Sequence, residues 1–422
     1  MRWWVGAAAA LAGIGLASTL RAETFSVDYI VTIDAANPAV AQVRWELAGI
    51  DEIADLLLHI EPGRFDAFDG TGTITQTADQ VHWVPGAPYA HLTYRVQIDH
   101  SRGRQKRYDS YASPEWIITR GRDLFPRIRL SYRPRGKERP KSRARLRFRL
   151  PAGWTSMTAH ELLGADLFQL ASRNSVLDRP TGWMILGKFD ARRQEIAGTM
   201  VTIARPRNIG IAASEIFNLF TTTLPGLTKL FSHPQARLLI VNGPDPMWHG
   251  GISGKDSFFM HAKRPLRTPD RTSPYLHELF HVLQPYRPAA DADWIEEGLA
   301  EYYSLELQRR AGLLDASEFS LGLEYFKRFG LWHVDLTTQQ DNAATNNSAP
   351  LIMFAIDQRV QRATAGARRL DDVVIALARD GGVVSTESFQ RVVERVAGKR
   401  FRLFFQRHVR NCEPPRFPDI GE

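Results

Sequence analysis

With 422 residues, 44% of them hydrophobic and 24% charged, the chain has ordinary globular composition and length for two or three packed domains, which excludes an intrinsically disordered protein. A single cysteine, Cys412, excludes an intramolecular disulfide. The formal charge of +8 points to an anionic partner, although nucleic acid is not expected.

Met1 and Arg2 precede an apolar run from Trp3 to Ala17 and then Ser18 to Ala22, the order of a secretory signal peptide over 1–22, with the mature chain beginning near Glu23. That run is too short to span a bilayer, and no later apolar stretch is long enough. The expectation is an exported, periplasmic protein with no transmembrane segment in its mature chain. From 23 to 190, short alternating segments such as Phe25 to Ile33, Val43 to Leu47, Gln80 to Val84 and His91 to Ile98, broken by Gly, Pro, Asn and Asp, predict an N-terminal antiparallel β-sandwich. Cations crowd one part of it: Arg127, Arg129, Arg133, Arg135, Lys137, Arg139, Lys141, Arg143, Arg145, Arg147 and Arg149. Over 143–149 arginine alternates with Ala144, Leu146 and Phe148, so one face of a strand is cationic and the other apolar. A solvated strand face accounts for most such runs; contact with an anionic envelope surface is the competing account.

Residues 191–312 mix helix and strand: a helix around Ala213 to Phe231, an apolar strand Ala236 to Val241, a turn Asn242 to Pro246 and a strand near Ser257 to Met260. Ser273 as N-cap and Pro274 at the first helical position open a helix that must stop at Pro285. Helical spacing resumes from Trp294 to Arg310 and ends at Gly312. Over 313–422, segments Ala316 to Phe329, Pro350 to Arg362, Leu370 to Arg379 and Glu387 to Val396 predict a C-terminal helical bundle, with Thr337 to Ala349 as an exposed, Asn-rich loop. The fold class expected is therefore α+β multidomain.

The chemistry concentrates in Leu276-His277-Glu278-Leu279-Phe280-His281. Histidines four apart on a helix project from one face and can share one metal ion, while Glu278 lies within reach of a metal-bound water. Catalytic zinc takes three protein ligands and keeps one position open. The segment Trp294-Ile295-Glu296-Glu297-Gly298-Leu299-Ala300-Glu301 offers the third ligand from the following helix. Glu297 is the choice; Glu296 and Glu301 stay open on spacing alone, with Glu301 also placed to support Glu297 from behind. Trp294, Tyr302 and Tyr303 are read as core.

HELFH followed by WIEEGLAEYY resembles the glycyl aminopeptidase family of gluzincin zinc metallopeptidases. Gly250-Gly251 ahead of the helix, Leu351 to Asp357, and Phe389 to Val409 with Gly398 follow that family in order, over most of the mature chain. The resemblance implies a thermolysin-like mixed α/β catalytic domain, Zn2+ on His277, His281 and Glu297, Glu278 as general base, and a peptide or protein substrate held along Gly250, Gly251, Ile252 and Ser253. Three positions depart from the family. Ser253 stands where a glutamate captures the substrate amino group, which argues against strict aminopeptidase specificity. Asn346-Asn347 stand where a tyrosine donates to the oxyanion, and His249, His261 and Tyr275 are the substitutes weighed. The C-terminal PDZ domain of many members is not expected in this chain. These departures define the competing reading, a catalytically weak or inactive zinc-containing pseudopeptidase that binds peptide or envelope.

Overall fold

The computed structural model describes residues 24–416 apart from 87, 104–106, 134–138, 172–174, 232–234 and 341. The signal-peptide segment and, within the basic run, Arg135 and Lys137 lie outside the described residues.

Alternating burial builds the first part. Val40–Ala48 buries Ala41, Val43, Trp45 and Leu47 and turns the residues between them outward, as a strand with one face on a core must. A seven-stranded sheet runs in the order Glu161–Gly164, Leu167–Gln169, Lys141–Arg149, Thr24–Ile33, Val40–Ala48, Tyr89–Gln97, Phe65–Gly70. It shares its core with a four-stranded sheet that contains Ile53–His59 and Gln80–Val84. Pairing in the seven-stranded sheet is antiparallel except between Thr24–Ile33 and Lys141–Arg149, which run parallel. A further five-stranded sheet includes Trp183–Gly187 and Arg107–Ala112.

The mixed sheet follows: Phe189–Ile196, Thr199–Pro206, Arg237–Gly243, Ser257–His261, Gly251–Gly254. Both of its faces are covered. Leu238 and Ile240 join the core shared with the helices, while Leu239 and Val241 pack with Ile118, Trp183 and Ile185 of the β-domain. Burial on both faces is why this strand reads as a continuous apolar run. Gly251–Gly254 is left at the edge.

One buried cluster extends from Ile196 to Cys412, so the C-terminal helices share their core with the mixed sheet. The central helix, Asp293–Arg310, lies within it: Trp294 donates to Thr386 Oγ1 (3.0 Å), Tyr302 to Asp357 (3.0 Å) and Tyr303 to Asp371 (2.9 Å). No described helix is long and apolar enough to cross a membrane. Cys412 is buried, which pushes its thiol up to about 11.

The loop expected over Thr337 to Ala349 requires correction. Ala344–Ser348 is a wide helical turn that runs into helix Ala349–Ala363, with Ala344, Thr345, Ser348 and Ala349 buried. Its polar residues satisfy the backbone locally: Asn342 Oδ1 accepts from Ala344 N (2.8 Å), and Ser348 Oγ donates to Leu331 O (2.8 Å). Residues that bond to nearby backbone favour loops and helix starts alike. Gly298 of the central helix admits the start of the following helix closely, since a Cβ there would stand 2.9 Å from Ala349 Cβ.

Candidate metal centre

Two helices form the site. Pro274–Leu283 starts with Ser273 in extended conformation and Pro274 at the first helical position, although the Ser273 hydroxyl makes no capping bond. Pro285, which cannot donate a helical hydrogen bond, follows the C-cap Gln284. His277 and His281 lie one turn apart on the face that meets Asp293–Arg310. His277 approaches Glu297 and Glu301 while His281 approaches Glu296 and Glu297, so the helices run antiparallel there.

The ring nitrogens His277 Nε2 and His281 Nε2 are 3.0 Å apart; Glu297 Oε2 is 3.3 Å from the first and Oε1 is 3.5 Å from the second. Ligands about 2.1 Å from one tetrahedral ion stand about 3.4 Å from each other, so these three side chains match the spacing of a single metal. The other ring nitrogens face different carboxylates: Glu301 Oε1 is 3.2 Å from His277 Nδ1, and Glu296 Oε1 is 3.3 Å from His281 Nδ1. These are ion-pair distances whose angles fall short of hydrogen bonds, and both Nδ1 atoms are buried without another partner. Three carboxylates that spacing leaves equivalent are thereby separated, Glu297 toward the Nε2 pair and the other two behind the imidazoles. Gln284 Nε2 donates to Glu296 Oε1.

Burial disfavours charge on both imidazoles, yet the carboxylates prevail. Glu301 and Glu297 hold His277 well above the usual histidine range, and Glu297 and Glu296 push His281 up to about 10. Burial likewise opposes ionisation of Glu297, but His281 and His277 hold it well below the carboxylate range. A cluster that draws protons onto two imidazoles carries surplus negative charge, which a divalent cation neutralises. Glu278 is 8% exposed, and burial raises its carboxyl against the pull of His277 and His281.

Glu278 also meets the edge strand. A Cβ on Gly251 would stand 2.3 Å from Glu278 Oε1, so only glycine admits the carboxylate there. His261 N donates to Gly250 O (3.1 Å), and antiparallel ladders bond at alternate positions, which leaves the backbone groups of Gly251 and Ser253 facing away from Ser257–His261. Trp183 Nε1 donates to Ile252 O (2.9 Å), tying the strand to the β-domain, and Gly250 lies against the Trp248 indole. Of the four residues expected along the substrate, Gly251 therefore adjoins Glu278, Ser253 continues the open edge, and Ile252 turns to the β-domain. Trp183 escaped sequence reasoning because its contact spans 69 residues; Gln284, one turn beyond His281, was open to it.

The residues weighed as oxyanion donors have other contacts. Tyr275 is buried, which pushes its hydroxyl up to about 12, and that hydroxyl accepts from Asn242 (3.0 Å). Asn346 and Asn347 are half-buried in the turn before Ala349–Ala363. His249 and His261 belong to a second convergence, with Asp245. There Asp245 already meets His249, Arg107 (2.6 Å) and Lys263 (2.6 Å), and His261 Nδ1 accepts from Lys263 N (3.3 Å). Its carboxylate is saturated by cations, so this cluster does not fit a metal.

No protein family and no curated protein matches the sequence. Among solved structures, an aminopeptidase N family protein from Idiomarina loihiensis superposes with TM-score 0.69 at 12% identity, over 93% of this chain and 77% of that one. An M1 zinc metallopeptidase from Deinococcus radiodurans, a glutamate-to-alanine mutant bound to a Tyr-Ser-Ala substrate, superposes with TM-score 0.62 at 15% identity, over 94% and 96%. Legionella pneumophila aminopeptidase A gives 0.56 at 12% identity, over 92% of this chain and 50% of that one. The chain thus has the α+β multidomain fold of two-domain M1 peptidases.

Proposed function

We propose that this protein is a zinc-dependent metallopeptidase that hydrolyses peptide bonds, with His277, His281 and Glu297 as metal ligands and Glu278 as general base. The observation that carries the reading is the pair of Glu297 oxygens facing both Nε2 atoms while Glu278, from the same helix as the histidines, meets an open sheet edge. Zinc bound by these side chains would polarise the scissile carbonyl and acidify the attacking water. Glu278 takes the proton released in the attack and hands it to the leaving amine, and a carboxyl raised by burial suits both transfers. Extended peptide pairs with the free backbone groups of Gly251 and Ser253. Ser253 brings no charge to a free amino group, so the proposal does not extend to strict aminopeptidase specificity.

The test is zinc content together with hydrolysis of a mixed peptide library by the parent protein and Glu278→Gln. Zinc in both and cleavage by the parent alone is the expected result. Zinc in both with cleavage in neither would favour a pseudopeptidase, and no zinc in either would overturn the assignment. The reading includes export, checked by sequencing the N-terminus of the protein from its host: a start near Glu23 is expected, and a retained Met1 would refute it.

A further inference from the structure

The edge strand beside Glu278 has two faces. Gly251 looks toward Glu278, whereas a Cβ on Gly250 would collide with Trp248 Nε1 and one on Gly254 would stand 3.0 Å from Trp183 Cδ1. Ile252, between them, packs with the β-domain core. Positions 250, 252 and 254 thus share the face turned to the β-domain, as period-two alternation requires. A peptide added to this edge keeps the alternation, because residues directly opposite each other place their side chains on one face. The substrate residue opposite Gly250 therefore sends its side chain toward Trp248, one position from the residue that passes Glu278.

Hydrogen-bond donors and positive charge gather at that point. The half-buried Trp248 indole N–H makes no hydrogen bond among the described residues. The exposed Arg102 guanidinium lies over the same indole, 4.4 Å from the ring centre, and stacking of this kind leaves the in-plane N–H groups free to donate. Arg102 engages only Asp109 Oδ1, at 3.4 Å, and Asp109 also serves the buried Arg120 (3.1 Å). Backbone bonds hold the β-domain against this loop: Tyr108 N donates to Pro246 O (3.1 Å) and Trp248 N to Tyr108 O (2.9 Å). Nearby, Arg107 and Lys263 share the single carboxylate of Asp245 (2.6 Å each). Arg122 is held below the usual guanidinium range by burial, then by Arg120 and Arg102, and makes no ion pair among the described residues. Asp123 is taken by Arg120 (2.6 Å). Arg102, Arg107, Arg122 and Lys263 are thus left with two carboxylates, Asp109 and Asp245, and a stacked guanidinium beside a neutral N–H in such surroundings suits a carboxylate ligand.

We infer that Arg102 and the Trp248 indole N–H receive the carboxylate of an aspartate or glutamate side chain in the substrate, opposite Gly250, so that the site selects acidic peptides. The inference rests on the peptidase reading and names the substrate class for it. Alternation along the edge is what assigns the carboxylate to a side chain rather than to the end of the peptide.

The test uses peptides blocked at both ends that carry glutamate, glutamine or lysine at each position in turn, with a neutral peptide bearing a free C-terminus alongside. kcat and KM are measured with the zinc-loaded parent, and Kd with zinc-loaded Glu278→Gln. A hydrogen bond to a charged group is worth about 10-fold or more, so glutamate exceeds glutamine by that factor in kcat/KM at one position, mainly through KM, and by less at high salt. Arg102→Gln brings the ratio close to one. Arg102→Glu favours lysine over glutamate at that position, an inversion that misfolding does not produce. Cleavage by the parent with no glutamate preference at any position, or a preference that Arg102→Glu leaves in place, overturns the inference while the peptidase reading stands. A gain from the free C-terminus with none from any side chain overturns it as well. No cleavage of any peptide by the parent refutes the peptidase reading instead, and the same ratios read in Kd then decide the role of Arg102.

Discussion

Gly251→Ala separates the placement of Glu278 from its chemistry. The added Cβ would lie 2.3 Å from Glu278 Oε1, 2.5 Å from Cγ and 2.6 Å from Cδ, where ordinary contact begins near 3.4 Å. Gly251 does not have a positive φ, so alanine suits the backbone and the conflict is steric alone. A retreat of about 1 Å is needed, and the flexible Glu278 side chain yields before two packed backbones do. Misplacing a reacting group by about 1 Å can cost on the order of 100-fold in rate, equivalent to about 2.7 kcal/mol of transition-state stabilisation. Zinc stays bound, because His277, His281 and Glu297 are untouched. The assay is kcat on a peptide cleaved by the parent, alongside zinc content and thermal melting. A variant that binds zinc, melts like the parent and keeps kcat within about 3-fold, against an expected loss near 100-fold, would refute the placement of Glu278 as the base.

Further outcomes follow from the same geometry. Glu301→Gln and Glu296→Gln each weaken zinc binding by about 10–100-fold, measured by chelator competition, because each carboxylate backs a different histidine; unchanged affinity would show that these contacts do not orient the ligands. In the metal-free protein the folded value of His281 is raised to about 10, so its stabilising contribution is present below the ordinary histidine range and is lost as pH rises toward 10. The melting temperature of chelated protein should therefore fall between neutral and alkaline pH, more than it does in His281→Gln, and zinc, which takes neutral imidazole, should remove the difference. A pH profile shared by the chelated parent and His281→Gln would contradict this. Gly298→Val forces the central helix away from Ala349, where helix Ala349–Ala363 begins, and costs about 1–3 kcal/mol in denaturant unfolding; no loss would mean that the two helices are not packed there.

Local patterns in the sequence determine the elements of the site. The i, i+4 spacing puts His277 and His281 on one helical face wherever that helix lies, and Pro274, Pro285 and Gly312 mark helix ends through backbone chemistry confined to a few residues. The alternation of arginine with apolar residues in 143–149 similarly sets which face of the strand is cationic. Strand direction is not contained in such alternation, and the parallel pairing of Lys141–Arg149 with Thr24–Ile33 emerges only from a neighbour more than a hundred residues away. Composition misread Thr337 to Ala349, because Asn, Ser and Thr satisfy backbone groups in a loop or at a helix start, and burial against Gly298 selects between them. The choice among Glu296, Glu297 and Glu301 likewise belongs to tertiary structure. These carboxylates share one helix and differ in position around and along it, so their contacts with the histidines depend on how the two helices are rotated and shifted against each other. That rotation, and the approach of Gly251 to Glu278, are set by packing between separate elements, to which no local spacing responds.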